Sequence, residues 1–379
     1  MEKKLHQYLY KLLELNGSDL HLKAGSSVHM RIHGELHALK NELLNNEDML
    51  NIAEIILSTP QYNTLIENKE LDCSYRLENN KRFRVNFFYQ VNGLSAVMRV
   101  IPENILTLDE LNIPSIVNNL ADLNNGLVLV TGTTGSGKST TMAAMIDRIN
   151  KTRRRHIVSI EDPVEYLHTE DKCLISQRSI GSSTHSFSNA LRSALREDID
   201  VILIGELRDL ETVEIALHAA NTGHLVIATV HTLDAKETIS RILGIFPKEE
   251  QARVRMSLSF LLEGIVSQRL VGTKDGKRIP AVEIMLKTQR ISELIADERD
   301  SEILEAIVNG KEIYGSQSFD QSLFDLYEEK KIGKYVALRN ATNPSDMSLM
   351  IQGIGQASGS ESSDFMPTED NANIFELKS

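Results

Sequence analysis

The chain has 379 residues and carries 41 Lys and Arg against 53 Asp and Glu, a formal net charge of −12 with histidines neutral. That length predicts two domains, each able to bury a core. The acidic balance argues against a nucleic-acid motor, whose phosphate contacts need a basic surface.

Leu5, Leu9, Leu12 and Leu13 place an apolar face on an opening helix that ends near Gly17. Val28 to Leu39 reads as a hairpin turning at Gly34, and Leu50, Ala53, Ile56 and Leu57 recur at helical spacing over Asp48 to Leu57. Phe83 to Phe87 and Ser95 to Ile101 read as strands, so residues 1–101 predict an α+β domain. Pro102 and Pro114 punctuate residues 102–122, the expected interdomain linker. Over 123–352 the pattern changes to strand–helix units, the sign of a parallel sheet in an α/β domain. Apolar strand cores recur at Leu127–Val130, Ile157–Ile160, Val201–Ile204 and Leu225–Val230, with helices expected over Glu211–Ala220, Ala235–Leu243 and Gln251–Gln268. Residues 353–379 are rich in Ser, Gly and Asn, and from Ala357 hold five acids to one lysine, a disordered composition. Cys73 and Cys173 form no CxxC pair and suit a reducing cytosol. No run approaches the ~20 apolar residues of a membrane helix, and Met1-Glu2-Lys3-Lys4-Leu5 opens no signal sequence. A soluble protein is expected, with any membrane contact peripheral or through a partner.

Chemistry concentrates in the second domain. Gly132-Thr133-Thr134-Gly135-Ser136-Gly137-Lys138-Ser139 satisfies every fixed position of a Walker A loop, with a buried strand before it and a helix from Thr140 after it. Glycines let successive N–H groups curl around phosphate oxygens, and the helix N-terminus adds positive potential. Lys138 then reaches the β- and γ-phosphates of ATP, the Ser139 hydroxyl ligates Mg²⁺, and Thr140 closes the binding stretch. Polar and acidic groups follow three further strands: Glu161 and Asp162, then Glu206, then His231. On an open α/β sheet all three strand ends face the phosphate loop, where a carboxylate holds Mg²⁺ through water or orients the attacking water.

These residues resemble a known family. Asp200-Val201-Ile202-Leu203-Ile204-Gly205-Glu206-Leu207-Arg208-Asp209 resembles the atypical Walker B box of the secretion ATPase superfamily. Ile157 to Pro163 is similar to its aspartate box, and Thr222-Gly223-His224-Leu225, running to Thr229-Val230-His231-Thr232, to its histidine box. Within the superfamily the likeness is to the PilT/PilU family of twitching-motility ATPases, whose N-terminal signature Gly17-Ser18-Asp19-Leu20-His21-Leu22 fits. The resemblance implies a PAS-like N-terminal domain, a RecA-like P-loop ATPase domain, a homohexameric ring and ATP-driven retraction of type IV pili. It further implies a cytoplasmic protein, peripheral at the inner membrane through a pilus platform protein, with a paralogous retraction ATPase as a further candidate partner. Carried over by position, Glu206 polarises water, Glu161 and Asp162 support metal and water, and His224 and His231 sense or stabilise the nucleotide site. The family also places N-terminal arginines against a neighbouring subunit's nucleotide; Arg84 and Arg99 fit that pattern, with Arg82 a competitor.

Two departures bear on function. Ile199 stands where the family has proline, and Arg290 to Glu298 keeps only the Leu-Ile core and final acid of the retraction signature AIRNLIRE. Asp346 to Ile351, followed by an extension, resembles the C-terminal stretch of PilU-type paralogues. An autonomous motor, an accessory ATPase dependent on a partner and a non-hydrolysing regulatory subunit therefore stay open, with Lys138, Ser139 and Glu206 counting against the last.

Overall fold

The computed structural model describes residues 1–32, 34–79, 81–101 and 104–353, so the expected acidic tail beyond Gly353 lies outside the described residues. The chain opens with α1 (Glu2–Glu14), which buries Leu5, Tyr8, Leu9 and Leu12. It continues through β1 (Gly17–Lys23), β2 (Ser26–Ile32), β3 (Glu35–Leu44), α2 (Asn46–Ile56), α3 (Thr59–Asn68), β4 (Glu70–Arg76), β5 (Arg82–Gln90) and β6 (Gly93–Ile101). Among the described residues the strands form a six-stranded sheet in the order β3-β2-β1-β6-β5-β4, antiparallel throughout. Alternation sends Leu20, Leu22, Phe83, Val85, Phe87, Ala96 and Met98 into one core with the helices. On the other face the register lines up Arg31, Asp19, Arg99 and Arg84 across four strands. The expected hairpin is β2–β3, with Gly34 in the left-handed region at φ 89°.

The stretch expected as a linker is only partly a tether. Leu108, Ile113, Val117, Leu120 and Ala121, the last three on α4 (Ile116–Ala121), are buried in the core of the second domain. Their apolar area gains more from burial than from spanning solvent. After α4 come β7 (Gly126–Thr131), α5 (Lys138–Thr152), β8 (His156–Glu161), β9 (Leu174–Ser179), α6 (Phe187–Ala194) and β10 (Val201–Ile204). Next are α7 (Leu210–Asn221), β11 (Leu225–Val230), α8 (Ala235–Gly244), α9 (Lys248–Leu261), β12 (Leu262–Gly272) and β13 (Arg278–Leu286). The seven-stranded sheet runs β13-β12-β7-β11-β10-β8-β9, parallel except for β13. Both faces are covered, so the central strands are apolar on both sides: Leu127 and Leu129 enter one core cluster, Val128 and Val130 the other.

The expected helix Gln251–Gln268 is corrected: α9 stops at Leu261 and β12 begins at Leu262. Leu258, Leu262 and Ile265 satisfy helical spacing, which hid the change. At Gly264 a Cβ would lie 2.9 Å from the Leu120 side chain, so the backbone there is pressed against α4. The β-branched Ile265 and Val266 then pair with Leu129 and Val130. A C-terminal layer follows, made of α10 (Gln289–Ala296), α11 (Ile303–Asn309), α12 (Lys311–Tyr314), α13 (Phe319–Glu328), α14 (Lys334–Asn340) and α15 (Pro344–Ile351). Phe319, Leu323, Ile332, Ala337 and Met347 pack there against Val271, Ile279 and Ala281 of the β12–β13 pair.

Candidate functional site

The glycine loop joins β7 to α5 with Gly132, Gly135 and Gly137 at φ 140°, 80° and 96°. Gly132 has no room for a side chain: a Cβ would sit 2.5 Å from both the Gln268 carbonyl oxygen and Ser136 Oγ. Lys138 is the first residue of α5 and 8% exposed. Its Nζ donates to the carbonyls of Gly132 at 2.8 Å and Thr133 at 3.0 Å, drawing the loop around the ammonium. Burial lowers the Lys138 pKa, while the charges of Glu206 and Glu165 pull the other way. Thr133, Thr134 and Gly135 are exposed at the tip, and Ser139 is half-buried beside Lys138. Thr140 Oγ1 lies 2.9 Å from the Tyr166 hydroxyl. Ser136 Oγ is buried and, among the described residues, has no hydrogen-bond partner. An orphan hydroxyl, a lysine held only by carbonyls and a Gly132 closed to any Cβ fit a phosphate chain.

Three strand ends converge on this loop. Parallel register sets Val230 beside Thr131 and Ile204 beside both Ala228 and Ile160, which puts His231, Glu206 and Glu161 along one edge of the sheet. The Thr229 hydroxyl donates to the Gly205 carbonyl, and Leu207 N donates to the Thr229 carbonyl at 2.9 Å, fixing the turn that carries Glu206. Glu206 Oε2 accepts from Arg208 Nε at 2.7 Å and lies 3.6 Å from His231 Nε2. Partial burial and the Lys138 charge lower the His231 pKa, with Glu206 opposing. Glu161 accepts from Ser159 Oγ at 2.8 Å, and burial pushes its carboxyl up to about 7 despite that bond. Asp162, next to it, is exposed. No cluster of three or more His, Cys, Asp or Glu able to hold a metal occurs among the described residues. A magnesium ion bound mainly by phosphate oxygens, water and one hydroxyl needs none.

His224 does not join this edge. It precedes β11 and so lies a strand length from His231, about 20 Å at 3.3 Å per residue. Its Nδ1 is 3.0 Å from the Ala219 carbonyl and its own N–H donates to that oxygen at 3.2 Å, closing the end of α7. Within one chain the glycine turn at 222–223 thus gives His224 a helix-capping contact, away from the edge that carries His231. The arginines divide likewise. Arg99 Nε donates to Asp19 at 2.7 Å and its side chain is largely exposed. Arg84 reaches its own chain's second domain, 3.6 Å from Glu165. Arg82 is the more enclosed, with Nη1 buried without a partner among the described residues and the Glu161 charge acting on it.

Sequence reasoning passed over Glu165, Tyr166, Arg208 and Gln268. The first three sit within or beside the matched boxes. Gln268 carries no local signal, because only the register of β12 against β7 brings it to the loop.

Comparison with known proteins agrees with this geometry. Residues 1–314 match the family model for type II/IV secretion system protein. The chain is 43% identical over 329 residues to the type IV pilus retractation ATPase PilT of Pseudomonas aeruginosa, covering 87% of this chain and 95% of that one. Against the type IV pilus ATPase PilU of the same organism it is 39% identical over 352 residues, 92% of this chain and 91% of the other. The crystal structure of the pilus retraction motor PilT with bound ADP superposes with a TM-score of 0.84 at 41% identity, covering 90% of this chain and 97% of that one. No helix among the described residues is long and apolar enough to cross a membrane. The chain belongs to the type II/IV secretion system protein family, and it is an ATPase of that family's pilus-retraction group.

Proposed function

We propose that this protein hydrolyses ATP to drive retraction of type IV pili, as a homohexamer docked through a platform protein at the inner membrane. The convergence of the Lys138 loop, Glu206 and His231 on one sheet edge carries the reading. The domains are then a PAS-like unit over 1–101 and a RecA-like P-loop unit over 123–352, with the packed stretch 108–121 belonging to the second. Gly132 to Thr140 would cradle the phosphates, and Lys138 would exchange its two carbonyls for phosphate oxygens. Ser139 would hold Mg²⁺ directly, with Glu206, Glu161 and Asp162 reaching it through water. Magnesium would supply positive charge at the phosphate oxygens. Glu206, freed from Arg208, would orient the attacking water, and His231 would support that carboxylate. Arg84 and Arg99 stand on one row of the N-terminal sheet and would reach a neighbouring subunit in a ring by exchanging Glu165 and Asp19 for its nucleotide.

An accessory role beside a second retraction ATPase is the competing reading, favoured by the divergence at Arg290–Glu298. Retraction of labelled pili in cells lacking this protein separates the two. Complementation by wild type and not by Lys138→Ala is expected for a motor. Equal complementation by both would leave hydrolysis here unneeded and support an accessory role that does not hydrolyse ATP.

A further inference from the structure

Gln268 lies outside the boxes that carry the family resemblance, yet it touches the phosphate loop from behind. Strand β12 pairs in parallel with β7, Ser267 beside Thr131, which sets Gln268 level with Gly132. Ser267 Oγ accepts from Thr131 Oγ1 at 2.9 Å in the same buried layer. Gln268 is 1% exposed. Its backbone carbonyl, with Ser136 Oγ, denies Gly132 a Cβ, each at 2.5 Å. Its side-chain Nε2 donates to Thr141 Oγ1 at 2.8 Å, and Thr141 stands in the first turn of α5, three residues past Lys138. Gln268 Oε1 is buried with no partner among the described residues.

A polar side chain buried with half its hydrogen-bonding capacity unmet costs stability and needs a reason. Leucine or methionine would fill the same volume. What glutamine adds is a tie between the two ends of the loop: its main chain abuts the loop's first residue and its side chain holds the helix that starts at the last. The spacing between those ends sets how well the loop's N–H groups and Lys138 fit a diphosphate.

We propose that Gln268 is a positioning residue for the phosphate loop, acting through Thr141 to hold the loop at the width that binds nucleotide phosphates. Its contacts are with the Thr141 hydroxyl and the Gly132 backbone, so its effect falls on the shape of the loop, and hence on binding, ahead of the chemical step. The inference rests on the nucleotide-binding reading above, and the experiment separates the failure of one from that of the other.

The test is ADP affinity by calorimetry on the full chain, with steady-state kcat and KM for ATP and thermal melting alongside. Gln268→Met keeps the volume and removes the bond, Thr141→Ala removes its other partner, and Thr141→Ser keeps the hydroxyl. The expected result is ADP binding about tenfold weaker in Gln268→Met and in Thr141→Ala, the loss of one well-placed bond. The KM for ATP rises by a similar factor, kcat stays within about twofold, and Thr141→Ser binds as wild type. The double variant binds no more weakly than either single one, because both remove the same bond. ADP affinity within about twofold of wild type in both single variants would overturn the proposal, as would fully additive losses. A lowered melting temperature with unchanged affinity and KM would assign Gln268 a purely structural role, which also overturns it. Lys138→Ala is the control: if it too binds ADP as wild type does, the phosphate-loop reading itself fails.

Discussion

His231 Nε2 lies 3.6 Å from Glu206 Oε2 at the edge of the sheet where the phosphate loop begins. Partial burial and the Lys138 charge lower the His231 pKa, which favours the neutral ring beside this carboxylate. The spacing exceeds a direct hydrogen bond, so the nearer partner of the carboxylate is Arg208 Nε at 2.7 Å.

The two histidines of the matched box should therefore separate in kinetics. His231→Ala is expected to lower kcat by about tenfold or more while ADP affinity stays within about twofold. His224→Ala should leave kcat within about twofold and lower the melting temperature, because it loosens the end of α7. Steady-state turnover and melting of both variants check this, and equal losses of kcat would contradict it.

Glu283 on β13 is 4% exposed and accepts from Ala235 N at 2.9 Å, tying the start of α8 to the sheet. Burial pushes its carboxyl up to about 7. Between its ordinary value and about 7 the native state holds a proton that the unfolded chain has lost, so this group's contribution to stability falls as pH rises through that window. Glu283→Gln keeps the acceptor and cannot ionise. Urea unfolding should show the variant gaining on the order of 2 kcal/mol over wild type at pH 8 and almost nothing at pH 5. An equal difference at both pH values would contradict the assignment.

Gly132→Ala should strain the loop, since φ 140° and contacts at 2.5 Å leave a methyl group no place. A loss of about 1–3 kcal/mol of stability, with ADP binding lost, is expected from unfolding and calorimetry. A variant that melts and binds as wild type would show that the loop adopts another conformation.

Arg269 places its guanidinium 3.8 Å above the Phe319 ring and donates to the Asn340 carbonyl at 3.3 Å, pinning α13 and α14 to β12. Arg269→Ala should cost about 1–2 kcal/mol in denaturant unfolding, and Lys should recover less than half of it because it cannot stack. Full recovery by lysine would reduce the contact to charge alone.

The sequence made the parallel core legible because β7, β8, β10 and β11 are short apolar runs, each ended by polar residues that mark the ligand edge. Lys138, Glu206 and His231 were legible for the same reason. The helix–strand change at Leu262 was not, since Leu258, Leu262 and Ile265 satisfy both periods until Gly264 is seen pressed against Leu120. Nor was Gln268, whose place depends on which strand pairs with β7. The position of His224 was not legible either: local text sets it in one box with His231, while strand direction carries it to the other end of β11.

The measurement that tests the account most directly is steady-state ATP hydrolysis by wild type and Glu206→Gln, paired with calorimetric nucleotide binding by both. Glu206→Gln is expected to bind within about threefold of wild type and to lose turnover by about 10²-fold or more, because the carboxylate orients water and leaves the phosphates to the Lys138 loop. Turnover preserved in Glu206→Gln would remove Glu206 from the chemistry and contradict the account.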